Sequence, residues 1–293
     1  MSERIRLNAN VEGNFFVTSA CIDCDSCRQI APNVFSAIDG YSAVTSQPVL
    51  QEDSHRSYQA LLACPTAAIG CSEKSGIGQA MADFPLAIAD NVYYCGFTSA
   101  KSYGGSSYFI ERPEGNWLID SPRFVPALAK KLAALGGVDS LFLTHNDDDE
   151  YADAELYAKH FGAKRVVHID ERTGDGQTLA AEHAIEGAGP VDIAPDLKII
   201  VVPGHSKGHA VLLYKGKYLF SGDHLFWDRS QQRLGVNREY CFYSWSELVK
   251  SMERLAREPF EWVLPRHGDR VRLEPDAMKQ EVERLLNKMK ETP

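Results

Sequence analysis

A short apolar run, Leu141-Phe142-Leu143, passes through Thr144 to His145 and then to Asp147, Asp148, Asp149 and Glu150. No other feature limits so strongly what this chain can fold into. A buried strand that stops at a histidine and a row of carboxylates is how a sheet presents metal ligands at its edge. Alone, the same residues would read equally well as a solvated acidic loop. The stretch has company, however. Further along come Pro203-Gly204-His205-Ser206-Lys207-Gly208-His209, then Ser221-Gly222-Asp223-His224, then Pro265-Arg266-His267-Gly268. Each sets a His or an Asp in a turn directly after an apolar run.

Four such loops, in this order, resemble the metallo-β-lactamase superfamily. The first motif of that superfamily usually reads His-x-His-x-Asp-His, and this chain holds His145, Asp147, Asp149 and Glu150 at those positions. The first His and the Asp are kept, while two histidines are replaced by carboxylates. The resemblance implies that His145, Asp147, His205 and Asp223 surround one metal. It implies that Asp149, Glu150, Asp223 and His267 surround a second, with Asp223 bridging, and that Asp149 and Asp223 are the catalytic residues. His209 is expected to hold the His205 loop, and His224 to lie behind the ligands.

The substitutions matter chemically. Four carboxylates bring about −4, enough to neutralise two divalent ions. Oxygen-rich surroundings favour iron or manganese over zinc, so two divalent metals are expected, with iron ahead of zinc or manganese. The flavodiiron branch of the superfamily likewise carries a carboxylate at the second position of the motif, but it keeps histidine where this chain has Glu150. The competing reading is a loop that binds one metal or none, in which close carboxylates raise one another's pKa.

A second constellation lies near the start. Cys21, Cys24 and Cys27 are spaced three apart, and a fourth cysteine, Cys64, is followed at once by Pro65. Thiolates three apart in an irregular loop can converge on one centre, with the fourth ligand arriving from elsewhere. The same four thiolates could make a zinc knuckle, but a zinc site usually pairs C-x2-C with a second such pair, and three cysteines in tandem favour a cuboidal cluster. C-x2-C-x2-C followed later by Cys-Pro is similar to the single-cluster bacterial ferredoxins, which implies a [4Fe–4S] cluster on Cys21, Cys24, Cys27 and Cys64. Residues 35–44 read as a hairpin around Asp39-Gly40. Cys71, Cys95 and Cys241 fall outside the pattern and are expected to be small buried hydrophobes.

With 293 residues the chain has room for two domains, and its 44% hydrophobic and 24% charged residues are those of a globular protein. The polar, glycine-bearing stretch 72–80 is the best linker candidate. The expected architecture is therefore α+β: a ferredoxin-like module over residues 1–75, then an αββα metallo-β-lactamase sandwich over 80–293. In the second segment, 86–95, 107–110 and 116–120 read as three antiparallel strands, and Asp120 closes the third, where the resemblance implies an acidic residue in a structural role. Val125, Leu128, Leu132 and Leu135 share a helix face, and the helix after the acidic loop carries Ala152, Leu156 and Phe161 and ends at Gly162. Strands over 165–169, 198–202, 211–214, 218–220 and 262–264 alternate with loops and with a helix opened by the Ser244-to-Glu247 capping box. A helix over 275–290 closes the chain.

The net charge of −9 argues against a nucleic-acid partner. No apolar run approaches the ~20 residues of a membrane span, and residues 1–8 have no signal-peptide core. The expectation is a cytoplasmic protein with a small-molecule substrate, an electron-donor protein at the cluster module and no membrane partner; a homodimer stays open. Two functions of different kinds follow. In the first, the cluster passes electrons to a carboxylate-rich di-metal site that reduces a small molecule. In the second, the di-metal site hydrolyses an ester, thioester or phosphodiester, with a structural or sensing cluster. A third reading is a redox-partner binding protein without turnover.

Overall fold

The structure is a computed structural model and describes residues 4–146, 152–173 and 178–291. Packing divides the chain into two units, Met1–Asp139 with Ala152–Ala163, and Ser140–Tyr151 with Lys164–Pro293.

The first unit begins with the cysteine-bearing segment. Strand Phe15–Val17 pairs antiparallel with Ile69–Cys71, so the chain after Cys64 returns beside the chain before Cys21. Strands Phe35–Ile38 and Tyr41–Val44 form the expected hairpin, with Asp39 and Gly40 at φ +49° and +79°. Two left-handed residues are what a tight hairpin turn demands. Helix Gln51–Ala63 ends at Cys64, and Pro65 cannot continue it.

The stretch expected to be a linker is partly helical: Ile77–Asp83 forms two turns around the buried Ala80. The run 86–95, expected as one strand, is two, Leu86–Ala89 and Val92–Tyr94, folded back on themselves at Asp90-Asn91. Asp90 adopts φ +49° there. Asp and Asn tolerate this conformation because their short side chains bond the local backbone. Tyr108–Ile110 and Trp117–Ile119 continue the antiparallel meander. Asp120 is buried at its end with φ +52°.

Helix Pro126–Ala134 buries Leu128 and Leu132 as expected. In helix Ala154–Phe161, Leu156 is half exposed, and Ala154, Tyr157 and Ala158 are buried. The inward face is fixed by Tyr157, whose hydroxyl donates to the Arg123 carbonyl (3.2 Å) and whose ring packs on Phe124. An aromatic with a polar tip outcompetes leucine where a buried acceptor is available.

The second unit holds the loops of interest. Strands Ser140–Phe142, Lys164–His168 and His183–Ile185 run parallel. A six-stranded sheet follows the order Val191–Ala194, Leu197–Val201, Ala210–Tyr214, Tyr218–Gly222, Trp262–Pro265 and Val271–Arg272. Every pair in it is antiparallel except Tyr218–Gly222 with Trp262–Pro265. That parallel pair needs a long crossover, which helix Trp245–Leu255 supplies.

One face of the sheet (Ile200, Val211, Leu213, Leu219 and Val263) meets Leu248, Met252 and Leu255 of that helix, and Met278, Val282, Leu285 and Met289 of the closing helix Pro275–Glu291. Each such side chain contributes about 1.5–3 kcal/mol on burial, so this helix pair sets where the Asp223 and His267 strands end. Ser244 Oγ accepts from Glu247 N at the start of the first helix, one half of the expected capping box, while Ser244 N donates to the Gly204 carbonyl. No described helix is long and apolar enough to cross a membrane.

Candidate metal and cluster sites

The cysteine site is built from two ends. The triplet loop bends through Asp23 and Asp25, both left-handed at φ +56° and +66°, and this turns the chain around the three sulfurs. Arg28 braces the bend, bonding Asp25, Asp23 (2.6 Å) and Ser42 Oγ (3.1 Å). Cys21, Cys24, Cys27 and Cys64 line one cavity together with apolar Ile22 and Ile69.

Backbone N–H groups already point at two of the sulfurs: Ser42 N donates to Cys21 Sγ (3.4 Å) and Ala68 N to Cys64 Sγ (3.3 Å). Burial raises the Cys24 thiol, partly offset by Ser26, and pushes Cys27 up to about 12. Burial thus disfavours the Cys24 and Cys27 thiolates unless a cation meets them. A cationic iron core is what makes thiolates favourable there. The residues fit the cluster.

Further groups of the same unit close over this site, and the sequence did not mark them. Thr98 N and Oγ1 donate to the Ala63 carbonyl (3.2 and 2.8 Å), and an Arg123 guanidinium nitrogen donates to the Leu62 carbonyl (3.0 Å). They satisfy carbonyls that a helix end leaves open, immediately before Cys64. Gly104, at φ +81°, lies against Cys24 so closely that a Cβ would sit 2.4 Å from the Cys24 Cβ and 2.8 Å from its sulfur. Gly104→Ala is expected to lower cluster occupancy at least severalfold, read from visible absorbance per chain. It adds about 1–2 kcal/mol of left-handed strain to a contact that the cluster-bearing backbone cannot relieve cheaply.

The second site lies wholly in the second unit. His145 follows strand Ser140–Phe142 and is fully buried, with its Nδ1 2.9 Å from Thr144 Oγ1. His205 sits in the turn after Leu197–Val201. There Gly204 passes so close to helix Trp245–Leu255 that a Cβ would meet Leu248 Cα at 2.7 Å. Asp223 ends strand Tyr218–Gly222, and His267 follows Trp262–Pro265.

Ligand atoms of His145, His205 and Asp223 all lie within 4.8 Å of one another. Asp223 Oδ2 is 3.6 Å from His145 Nε2, 3.8 Å from His205 Nε2 and 4.0 Å from His267 Nε2. These separations are too long for hydrogen bonds. They are close to the roughly 3.4 Å spanned by two ligands ~2.1 Å from one tetrahedral ion. Asp223 Oδ1 is buried with no hydrogen-bond partner among the described residues, and such an oxygen is costly unless a cation meets it. Burial acts to raise the Asp223 carboxyl, but His267, His145, His205 and Arg266 outweigh it and hold it below the usual carboxylate value. The residues fit a metal ion. Asp147, Asp149 and Glu150 lie outside the described residues.

The remaining histidines divide by position. His209 Nε2 accepts from the Asp223 backbone N–H (3.1 Å), and its ring stacks on His145, so it orients ligands. His224 is fully buried with neither ring nitrogen hydrogen-bonded among the described residues, and burial pulls it down to about 3. His168 bonds the Gly187 carbonyl, His55 pairs with Asp83, and His160 packs on Phe124.

Beside His205 the chain exposes Tyr240, Phe242 and Tyr243. The N–H groups of Phe242 and Tyr243 donate to the His205 carbonyl, and the Phe242 ring lies 5.4 Å from the His205 ring. Nothing in the sequence separates Phe242 from the other aromatics of this segment. Arg238 stacks on Trp245.

Residues 101–267 match the metallo-beta-lactamase superfamily, and residues 17–71 match the 4Fe-4S single cluster domain of Ferredoxin I. The chain belongs to the metallo-beta-lactamase superfamily, with a single-cluster ferredoxin domain ahead of the matched region and an α+β fold.

Among curated proteins it is similar to the hydroxyacylglutathione hydrolase of Stenotrophomonas maltophilia (strain R551-3), 31% identical over 149 residues, covering 50% of this chain and 53% of that protein. The enzyme of the same name from Acidiphilium cryptum (strain JF-5) is 28% identical over 135 residues, covering 43% and 47%. The chain spans about half the length of the curated relatives it matches. Among solved structures, the DIM-1 metallo-beta-lactamase gives a TM-score of 0.51 at 15% identity, over 69% of this chain and 95% of that one. A metallo-beta-lactamase family protein from Thermus thermophilus gives 0.50 at 17% identity, over 70% and 81%. At that identity the likeness is one of fold.

Proposed function

We propose that this chain is a metal-dependent oxidoreductase. Residues 1–75 hold a [4Fe–4S] cluster on Cys21, Cys24, Cys27 and Cys64, and residues 80–293 hold a carboxylate-rich di-iron centre. His145, Asp147, His205 and Asp223 hold one metal. Asp149, Glu150, Asp223 and His267 hold the other, with Asp223 shared. When bound, the cluster supplies electrons singly and the metal pair supplies the centre at which a small molecule such as oxygen or nitric oxide is reduced.

The observation that carries this reading is the presence in one chain of a cavity lined by Cys21, Cys24, Cys27 and Cys64 and of a second site at which ligand atoms of His145, His205 and Asp223 converge within 4.8 Å. A cluster that passes electrons singly is suited to feeding such a metal site. Because electrons leave the cluster one at a time, each turnover draws on an external electron-donor protein at the cluster module.

A hydrolase is the second reading, favoured by the curated relatives. Those relatives are hydrolases of hydroxyacylglutathione, a thioester. Elemental analysis of protein purified without oxygen, paired with electron paramagnetic resonance before and after dithionite, separates the two. About six irons per chain, four in the cluster and two beyond it, is the result expected. About four irons with zinc in the second site would move the assignment to a hydrolase of an ester, thioester or phosphodiester. Four irons and no second metal would overturn both.

A further inference from the structure

Glu171 lies between the two histidine loops and touches both. It ends the short turn Ile169–Glu171 that follows strand Lys164–His168, a turn capped by His168 Nδ1, which accepts from Asp170 N (3.2 Å). Only 3% of Glu171 is exposed. One carboxylate oxygen accepts from Asn146 N (2.6 Å), the residue directly after His145. The other accepts from Ser206 Oγ (2.8 Å) and from Gly208 N, on either side of Lys207 in the His205 loop.

The neighbours of Glu171 repeat the pattern. Asn146 Nδ2 donates to Thr173 Oγ1 (2.9 Å), and Lys207 pairs with Asp170 (2.9 Å). The bases of the same two loops are joined by a backbone bond, Ala210 N to the Thr144 carbonyl (2.8 Å).

We infer that Glu171 is a positioning residue that clamps the His145 and His205 loops in ligand register, an inference that rests on the metal reading of those histidines. Three donors from two loops converge on one buried carboxylate, and an unsatisfied N–H would remain at each loop if it were removed. Side chains that hold metal ligands from behind typically change affinity by about 10–100-fold when altered. Glutamine keeps one acceptor oxygen and turns an amide N–H₂ toward a donor on the other side, so it preserves the tie to one loop alone.

The test uses the cluster-containing full chain, stripped of loosely bound metal with a chelator and titrated with Mn²⁺ under electron paramagnetic resonance. Wild type is expected to bind. Glu171→Gln is expected to bind about 10-fold more weakly and Glu171→Ala about 100-fold more weakly, with cluster absorbance unchanged. Ser206→Ala, which removes one of the three donors, is expected to weaken binding by about threefold. It keeps the test decisive should Glu171→Ala not fold. The bound Mn²⁺ line shape is expected to broaden in Glu171→Gln, which a residue that only supports folding would leave unchanged. Affinities of Glu171→Gln and Ser206→Ala both equal to wild type, with an unaltered line shape, would overturn the clamp and leave the metal site standing. A wild type that binds no Mn²⁺ would overturn both.

Discussion

Cys24→Ala is expected to abolish dithionite-driven reduction of oxygen or nitric oxide while the second metal site stays loaded. Alanine keeps the Cβ against which Gly104 packs and removes one of the four sulfurs lining the cysteine cavity. His145, His205 and Asp223 all belong to the other packing unit, so their metal content should not follow the loss. Turnover and elemental analysis on the same preparation provide the check. A folded variant that loses its cluster yet turns over as before would remove the cluster from the reaction. If it also hydrolyses thioesters at the wild-type rate, the hydrolase reading takes its place.

Asp223→Asn is the change with the largest expected effect on the second site. Asp223 is the group that His145, His205 and His267 all face, and in the proposed centre it is shared by both metals. Its loss should weaken metal binding by more than the ~100-fold upper end seen for residues that merely support ligands. Titration calorimetry of the chelator-stripped chain would show it.

The stripped protein should respond as well, and the sign follows from the carboxyl. Its folded pKa lies below the ordinary 3.8 because the histidines and Arg266 outweigh the cost of burial. The charged form therefore contributes stability above that value, and the contribution is lost as the pH falls through the lower folded pKa. Stripped Asp223→Asn should accordingly melt below stripped wild type at pH 6, with the gap narrowing only as the pH falls below 3.8. A gap that closes while the pH is still well above 3.8 would show that the histidines and Arg266 do not hold this charge.

Much of both sites could be read from local chemistry. Cysteines three apart, a Cys-Pro after a helix, an Asp-Gly between alternating strands, and His or Asp placed just past apolar runs each report a backbone event within a few residues. The helix faces that include Leu128, Leu132, Leu248, Met252 and Leu285 were legible for the same reason: their periodicity repeats over several turns.

Other features depended on partners distant in sequence. Leu156 yielded the inner face of its helix to Tyr157 because a carbonyl at Arg123 was waiting for the hydroxyl. The run 86–95 folded in two because Asp90 could turn left-handed where its neighbours on either side had strands to meet. Thr98 and Arg123 complete a helix end about 35 and 61 residues away, and no pattern in the chain connects them.

By itself, then, the sequence determined which atoms were available: four sulfurs spaced for one centre, and histidines and carboxylates at the mouths of strands. It did so because ligand chemistry and turn chemistry are written in neighbouring residues. Only the tertiary structure decided what holds those atoms in place. Gly104 had to lack a side chain because Cys24 lies against it, and Glu171 became a clamp because two loops meet at its carboxylate. Both depend on close approach in space between segments distant along the chain, which residue type and spacing do not encode.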